Sequence, residues 1–262
     1  MPPSPTFADT IFCYSGTGNT YASAKRIAAR LNMKVEFITA ELVASKPVIE
    51  GELGIIMAPP YAYGLPMTVK RFIQASAFRV QYMAVLATPG STHGGMLAEA
   101  ARLLSRRKQK VSYSMGIKSV ENFVQMFKLP SEEGIVLANI RQNERTDAVI
   151  ADIKNRKRKR RFLFRPDSSF VSFLFRRITA TFARRYRFTE ACNGCGICAK
   201  VCPARAITVF EGKKPRVDPK KCDHCEGCTM LCPQKAIRFG KITPDSRRYK
   251  HPDVSLGELY KR

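Results

Sequence analysis

Thr10-Ile11-Phe12-Cys13-Tyr14-Ser15-Gly16-Thr17-Gly18-Asn19-Thr20 decides the fold. Five residues of buried-strand character run into a turn of glycines and hydroxyls, and the pattern over Asn19–Leu31 is helical. A strand that passes through a glycine-rich turn into a helix opens a βαβ unit. Two familiar phosphate cradles are excluded. A Walker A loop needs a lysine that is not here, and a dinucleotide fingerprint needs a third glycine where Tyr21 stands. What remains is a cradle of backbone N–H groups and hydroxyls at a helix N-terminus, without a cation. It suits a terminal monophosphate that is held and never transferred, and flavin mononucleotide (FMN) is the natural occupant. An ordinary strand–helix turn is the alternative.

Outward from this stretch the alternation continues. Residues 34–38, 53–58, 82–88 and 111–115 are short apolar runs that predict strands, with helical patterns over 67–76, 95–106 and 135–155. Strands alternating with helices imply right-handed βαβ units around a parallel sheet. Ligands of such sheets bind outside the carboxyl ends of the strands. Two further loops emerge there, Pro59-Pro60-Tyr61-Ala62-Tyr63-Gly64 and Thr88-Pro89-Gly90-Ser91-Thr92-His93-Gly94-Gly95. Tyr61 or Tyr63 offers a ring to stack on a flavin, and the backbone of 90–95 offers hydrogen bonds to its polar edge. Each loop alone also fits a surface turn. His93 reads as a polar loop residue, and Cys13, inside an apolar strand, as a core thiol.

Eight of the nine cysteines fall between positions 192 and 232, in a repeat with a 30-residue offset. Cys192-Asn193-Gly194-Cys195-Gly196-Ile197-Cys198-Ala199-Lys200-Val201-Cys202-Pro203 is echoed by Cys222-Asp223-His224-Cys225-Glu226-Gly227-Cys228-Thr229-Met230-Leu231-Cys232-Pro233. Ala206-Ile207 and Ala236-Ile237 follow at matching positions, so a supersecondary unit is duplicated and a pseudo-twofold is expected. Each half reads C-x2-C-x2-C-x3-C-P. Three cysteines at this spacing let a tight loop wrap a cuboidal cluster, while the fourth points away on the next turn. Gly194, Gly196 and Gly227 let backbone N–H groups approach cluster sulfurs, and Ile197, Val201, Ile207, Leu231 and Ile237 supply a dry shell. A pair of structural zinc sites is the alternative. Zinc knuckles need no third cysteine three residues on, so the spacing favours two [4Fe–4S] clusters. His224, between two cysteines, reads as a surface loop residue.

Residues 15–20 match the flavodoxin phosphate loop, (Ser/Thr)-x-Thr-Gly-x-Thr, position for position. The cysteine-rich part resembles a two-cluster bacterial ferredoxin. Together they resemble the fused flavodoxin–ferredoxin electron-transfer proteins of anaerobes, over about 1–150 and 188–240. The segment Glu121-Asn122-Phe123-Val124-Gln125-Met126-Phe127 is also similar to a stretch of such fusions. The resemblance implies a flavodoxin-like doubly wound parallel α/β sheet, order 2-1-3-4-5, within 1–153, and a small α+β two-cluster ferredoxin-like domain within 188–242. It implies FMN held by Ser15, Gly16, Thr17, Gly18, Asn19 and Thr20, flanked by Pro60, Tyr61, Ala62, Tyr63 and Gly64 and by Thr88, Pro89, Gly90, Ser91, Gly94 and Gly95. It implies one [4Fe–4S] cluster on Cys192, Cys195, Cys198 and Cys232, and a second on Cys222, Cys225, Cys228 and Cys202.

The chain has 262 residues, 45% hydrophobic and 25% charged, which leaves ample material for two folded cores. Lys and Arg number 45 against 21 acidic residues, a net +24, whereas ordinary flavodoxins are acidic. Half of that excess lies in 154–187, a basic connector with seven interleaved aromatics, expected to be partly helical after Asp167. From Phe170 an apolar stripe runs through Leu174, Ile178, Phe182 and Tyr186, which is expected to pack between the two domains with its arginines solvated, docking to a partner or membrane being the alternative. Residues 243–262 read as a polar tail. The expected partner is an acidic redox protein, with peripheral contact to an anionic membrane as a further expectation. Nucleic acid is disfavoured, because no nucleic-acid module accompanies the charge. Neither an 18-residue apolar stretch nor a signal-peptide pattern is present, so a cytoplasmic protein is expected. The reading is an electron-transfer flavo-iron–sulfur protein. The alternative is a flavin-dependent reductase of an organic substrate, its pocket lined by Tyr61, Tyr63, His93 and 121–127.

Overall fold

The computed structural model describes residues 4–160, 174, 181–211, 213–239 and 247–260. Its first part runs β1 (Thr6–Ala8), β2 (Thr10–Cys13), α1 (Asn19–Leu31), β3 (Lys34–Phe37), α2 (Ala40–Ala44), β4 (Val48–Ala58), α3 (Met67–Ala75), β5 (Ala77–Ala87), α4 (Met96–Arg106), β6 (Val111–Gly116), α5 (Glu132–Lys154) and β7 (Lys159–Arg160). All seven strands pair in parallel, in the order β3-β2-β4-β5-β6-β7 with β1 beside β4. For the five strands expected from sequence this is the order 2-1-3-4-5, the flavodoxin-like doubly wound arrangement.

Side-chain alternation sends Phe12, Ile56 and Val85 to one face, against Val69 and Phe72 of α3 and Leu97 and Leu104 of α4. Ile11, Ile55 and Leu86 go to the other, against Ile27 of α1 and Val149 and Ile153 of α5. Both faces are covered, which is why these strands read as continuous apolar runs.

The edges differ from expectation. β4 and β5 begin five residues earlier than the apolar runs, at Val48 and Ala77. In β5 the added end alternates buried and exposed, with Arg79 and Gln81 outward, so it carries a period of two rather than a run. α2 spans only five residues, too short for periodicity; Thr39 Oγ1 accepts from Leu42 N at 3.2 Å to cap it. β7 takes two residues of the basic connector as a charged sheet edge. Most of the expected connector helix, including Phe170 and Ile178, lies outside the described residues.

The second part contains β8 (Tyr186–Phe188), α6 (Ile197–Lys200), β9 (Ile207–Phe210), β10 (Lys213–Val217), α7 (Gly227–Met230), β11 (Ile237–Phe239) and α8 (Leu256–Tyr260). β8 pairs antiparallel with β11, and β9 with β10. α6 and α7 sit at the 30-residue offset, so the sequence repeat is a structural repeat. Phe182 stacks on Phe239 at 6.2 Å, which fastens the end of the connector to this part. The stretch expected as a polar tail is docked instead. Tyr249, His251, Val254 and Leu259 are buried, and Lys25 of α1 holds Glu258 at 2.6 Å. Its mixed composition hid four side chains that α1 and the phosphate loop cover.

Candidate functional site

At the carboxyl ends of the central strands lies a cavity of about 300 Å³. That is the lower end of the size range of cofactor pockets. The loop after β2 contributes Ser15, Gly16, Thr17, Asn19 and Thr20; the loop after β4 contributes Pro60, Tyr61, Ala62 and Tyr63; the loop after β5 contributes Thr88, Gly90 and Ser91. The other expected residues stand behind this lining. Gly18 faces His251 and Val254, Gly64 bridges back to Tyr61, and the Pro89 carbonyl accepts from Ser119 N. Gly94 abuts Tyr63, and Gly95 precedes α4. His93 Nδ1 lies 3.0 Å from Gly94 O, in keeping with a loop residue, and Cys13 is fully buried in the core.

The phosphate loop fits an anion. α1 starts from Gly18 at φ 106°, without a side-chain cap and without an acid in its first turn. Its leading N–H groups are therefore available, and the helix dipole favours negative charge there. Ser15, Thr17 and Thr20 are all buried. Thr20 Oγ1 lies 2.7 Å from Thr88 Oγ1, and Asn122 Nδ2 donates to Thr17 Oγ1, which leaves the threonine hydroxyl proton for a ligand. Across the cavity, Ala62 and Tyr63 are held at φ 45° and 63°, a strained loop of the kind that gathers at binding sites.

Two further walls come from outside these three loops, and one of them is the segment that the sequence offered as a lining only under the reductase alternative. The segment 121–127 supplies Glu121, Asn122, Phe123, Met126 and Phe127, and Glu121 packs directly on Gly90. The cysteine repeat supplies His224, Cys225 and Glu226. Far from being a surface loop residue, His224 is 3% exposed. A Cβ on Gly16 would stand 2.1 Å from the Cys225 carbonyl oxygen, so phosphate loop and cysteine loop meet backbone to backbone.

Charged side chains lock that contact. Asp223 Oδ2 accepts from the Tyr14 hydroxyl at 2.9 Å and from Thr68 N at 3.1 Å, while Oδ1 accepts from Met67 N at 3.0 Å. It thereby caps α3, whose own N-cap residue, Pro66, offers no capping side chain. Burial, reinforced by Asp223, raises the Tyr14 hydroxyl well above its ordinary range. Glu226 is enclosed as well. Its Oε1 accepts from the Tyr186 hydroxyl at 2.8 Å and from Gln125 Nε2. Burial pushes its carboxyl up to about 7, against the lowering pull of those donors.

The sulfurs fall into two groups. Burial lifts the Cys198 thiol to about 11, and the neighbouring sulfurs of Cys192, Cys232 and Cys195 push the same way. These four line one small hollow with Ile197, Pro215 and Ile237. Burial likewise raises Cys228, whose sulfur neighbours are Cys225, Cys222 and Cys202. Cys202 Sγ accepts from Ala206 N at 3.3 Å and Cys232 Sγ from Ala236 N at 3.4 Å, the same N–H···S contact in both halves. Buried thiols resist ionisation on their own. Bound iron makes the thiolate favourable, and such N–H donors stabilise its charge, so the donor set fits iron–sulfur clusters.

The 4Fe-4S dicluster domain family matches residues 191–248. No curated protein matches the chain. Among solved structures it is similar to a short-chain flavodoxin associated with a bacterial microcompartment, at 14% identity over 56% of this chain and 97% of that one, TM-score 0.33. It is also similar to the Trp repressor binding protein from Bacillus subtilis, at 11% identity over 52% and 95%, TM-score 0.34. A third is a flavodoxin from the domain Archaea, at 12% identity over 55% and 99%, TM-score 0.31. At these scores the fold rests on the strand order and register described above. The chain joins a flavodoxin-like domain to a 4Fe–4S domain, the make-up of an electron-transfer flavo-iron–sulfur protein. Among the described residues no helix is long and apolar enough to cross a membrane.

Proposed function

We propose that the chain relays electrons between FMN and two [4Fe–4S] clusters and on to a redox partner. The observation that carries this reading is Cys225, a cluster cysteine whose own residue lines the cavity that begins at the phosphate loop. FMN exchanges two electrons with one donor and passes them singly, while each cluster carries one. The chain's residues supply the rest. Ser15, Thr17 and Thr20 hold the phosphate, Tyr61 and Tyr63 flank the ring, and Asp223 fixes the second cysteine loop against α3. The quartet Cys222, Cys225, Cys228 and Cys202 is the one adjoining the flavin cavity. The quartet Cys192, Cys195, Cys198 and Cys232 lies beyond it, with Cys195 exposed as the outlet.

Anaerobically purified protein should carry about eight irons, eight acid-labile sulfides and one FMN per chain. Zinc in place of iron would overturn the cluster assignment. Thr20→Val should weaken FMN by about 10- to 150-fold, the loss of a hydroxyl donor to a charged acceptor, with iron content unchanged. The net +24 favours an acidic redox protein as partner, or an anionic membrane surface as a docking place. Association with either should weaken steeply with salt and with Arg158, Arg160 and Arg161 changed to Ser; salt-independent association would refute docking through charge.

A further inference from the structure

The two cysteine loops share a backbone but not the side chains between their cysteines. In the first, the left-handed positions are Gly194 at φ 72° and Gly196 at φ 73°, and a Cβ at either would meet nothing within 4 Å. In the second, the same positions carry His224 at φ 57° and Glu226 at φ 58°. Side chains there strain the backbone, and the first loop shows that glycines suffice to build the cage. The second pair therefore serves something other than the iron. Both residues are 3% exposed, and both line the cavity beside the phosphate loop. Glu226 is fixed by Tyr186 and by Gln125 of the 121–127 segment, and Gln125 also donates to the Tyr186 hydroxyl at 2.7 Å. The His224 ring lies against Tyr186 at 5.8 Å between centroids.

We infer that His224 and Glu226 are flavin-binding residues, lent to the FMN site by the cysteine domain, so that the flavodoxin-like domain is completed only by its neighbour. The inference rests on the flavin reading above. The ligand class is a planar, hydrogen-bonding heteroaromatic ring, met by an imidazole and a carboxyl group held rigidly by buried partners. Replacing both residues by glycine recreates the first loop, removes the backbone strain and opens the cavity wall.

The experiment is a fluorescence titration of the cluster-loaded chain with FMN, with iron measured alongside. The His224→Gly/Glu226→Gly variant should keep about eight irons and its cluster absorption. It should bind FMN about tenfold more weakly than wild type, with a shifted flavin absorption band. Glu226→Gln, which keeps the shape and an acceptor for Tyr186, should stay close to wild type. FMN affinity within about twofold of wild type in the double-glycine variant would overturn the inference, and so would loss of iron, which would put these residues in the service of the cluster. A wild-type chain that takes up iron but no FMN would instead sink the flavin reading itself.

Discussion

The first cysteine loop faces outward and the second faces inward, although one duplication made both. Asn193, Gly194 and Cys195 are exposed, whereas their counterparts at the 30-residue offset, Asp223, His224 and Cys225, are wedged against the phosphate loop and α3. The cage itself needs only cysteines, small residues and N–H donors, so the positions between the ligands are free to specialise. Where they carry glycine, the loop is left bare to solvent. Where they carry Asp, His and Glu, the loop becomes a wall of another domain's cavity. A duplicated fold thus acquires direction from three side chains, with one end toward the cavity beside the phosphate loop and the other toward solvent.

The largest test of this contrast is a single methyl group. Gly16→Ala would drive Cβ into the Cys225 carbonyl, and backbone on both sides leaves no room to yield, so the two domains must part. We expect a loss of about 3 kcal/mol, the upper range for overpacking, and weaker flavin binding. Gly194→Ala meets open space and should cost only about 1 kcal/mol, for its positive φ. Equal thermal destabilisation of the two variants would break the contrast.

Next comes the carboxylate. Asp223→Ala removes three accepted hydrogen bonds at once and should cost about 2 kcal/mol in chemical denaturation of the iron-loaded protein. Asn193→Ala removes one exposed 3.3 Å contact to Cys195 N and should stay within about 0.5 kcal/mol. A neutral Asp223→Ala would mean that the interface is held elsewhere.

Acid offers the mildest test. His251 is fully buried beside Gly18, its backbone N–H donates to Thr17 O at 3.0 Å, and among the described residues its Nε2 meets no partner. Burial lowers its pKa to about 4, Asp253 pulling it up and Lys250 and Lys25 pushing it down. The unfolded chain takes up a proton near 6.5 while the folded chain does not. Stability contributed by this group is therefore complete above that value and is lost as pH falls toward 4. Between pH 7 and 5 the loss should be about 2 kcal/mol, and His251→Gln should flatten that part of the pH profile. The inward side, where the C-terminal stretch buttresses the phosphate loop, should loosen first in hydrogen exchange, ahead of the outward loop. The opposite order would remove the buttress from the account.

Much of the site was legible in the residues. The bounds of α1 followed from the period of its apolar positions. The eight clustered cysteines were legible from their spacing as two loops at a 30-residue offset. The role of 121–127 was not legible, because its residues reach the cavity from a loop with no periodicity. His224 was misread because burial of a loop residue depends on what packs over it. A signal did exist: at both left-handed positions one repeat has glycine and the other does not. For the C-terminal stretch the signal was weaker, the apolar set Val254, Leu256, Leu259 and Tyr260 among polar neighbours.

The sequence by itself determined the local chemistry: parallel strands where apolar runs alternate with helices, an anion cradle where glycines and threonines open a helix, and two thiol cages where cysteines recur every three residues. Those are short-range consequences of backbone geometry and spacing. Only the tertiary structure decided that the second cage closes the cavity, that Asp223 caps a helix some 150 residues away, and that the C-terminal stretch lies over Gly18. Such contacts join residues remote in the chain. They depend on which surfaces meet when two domains bury each other, and no period within either domain records that choice.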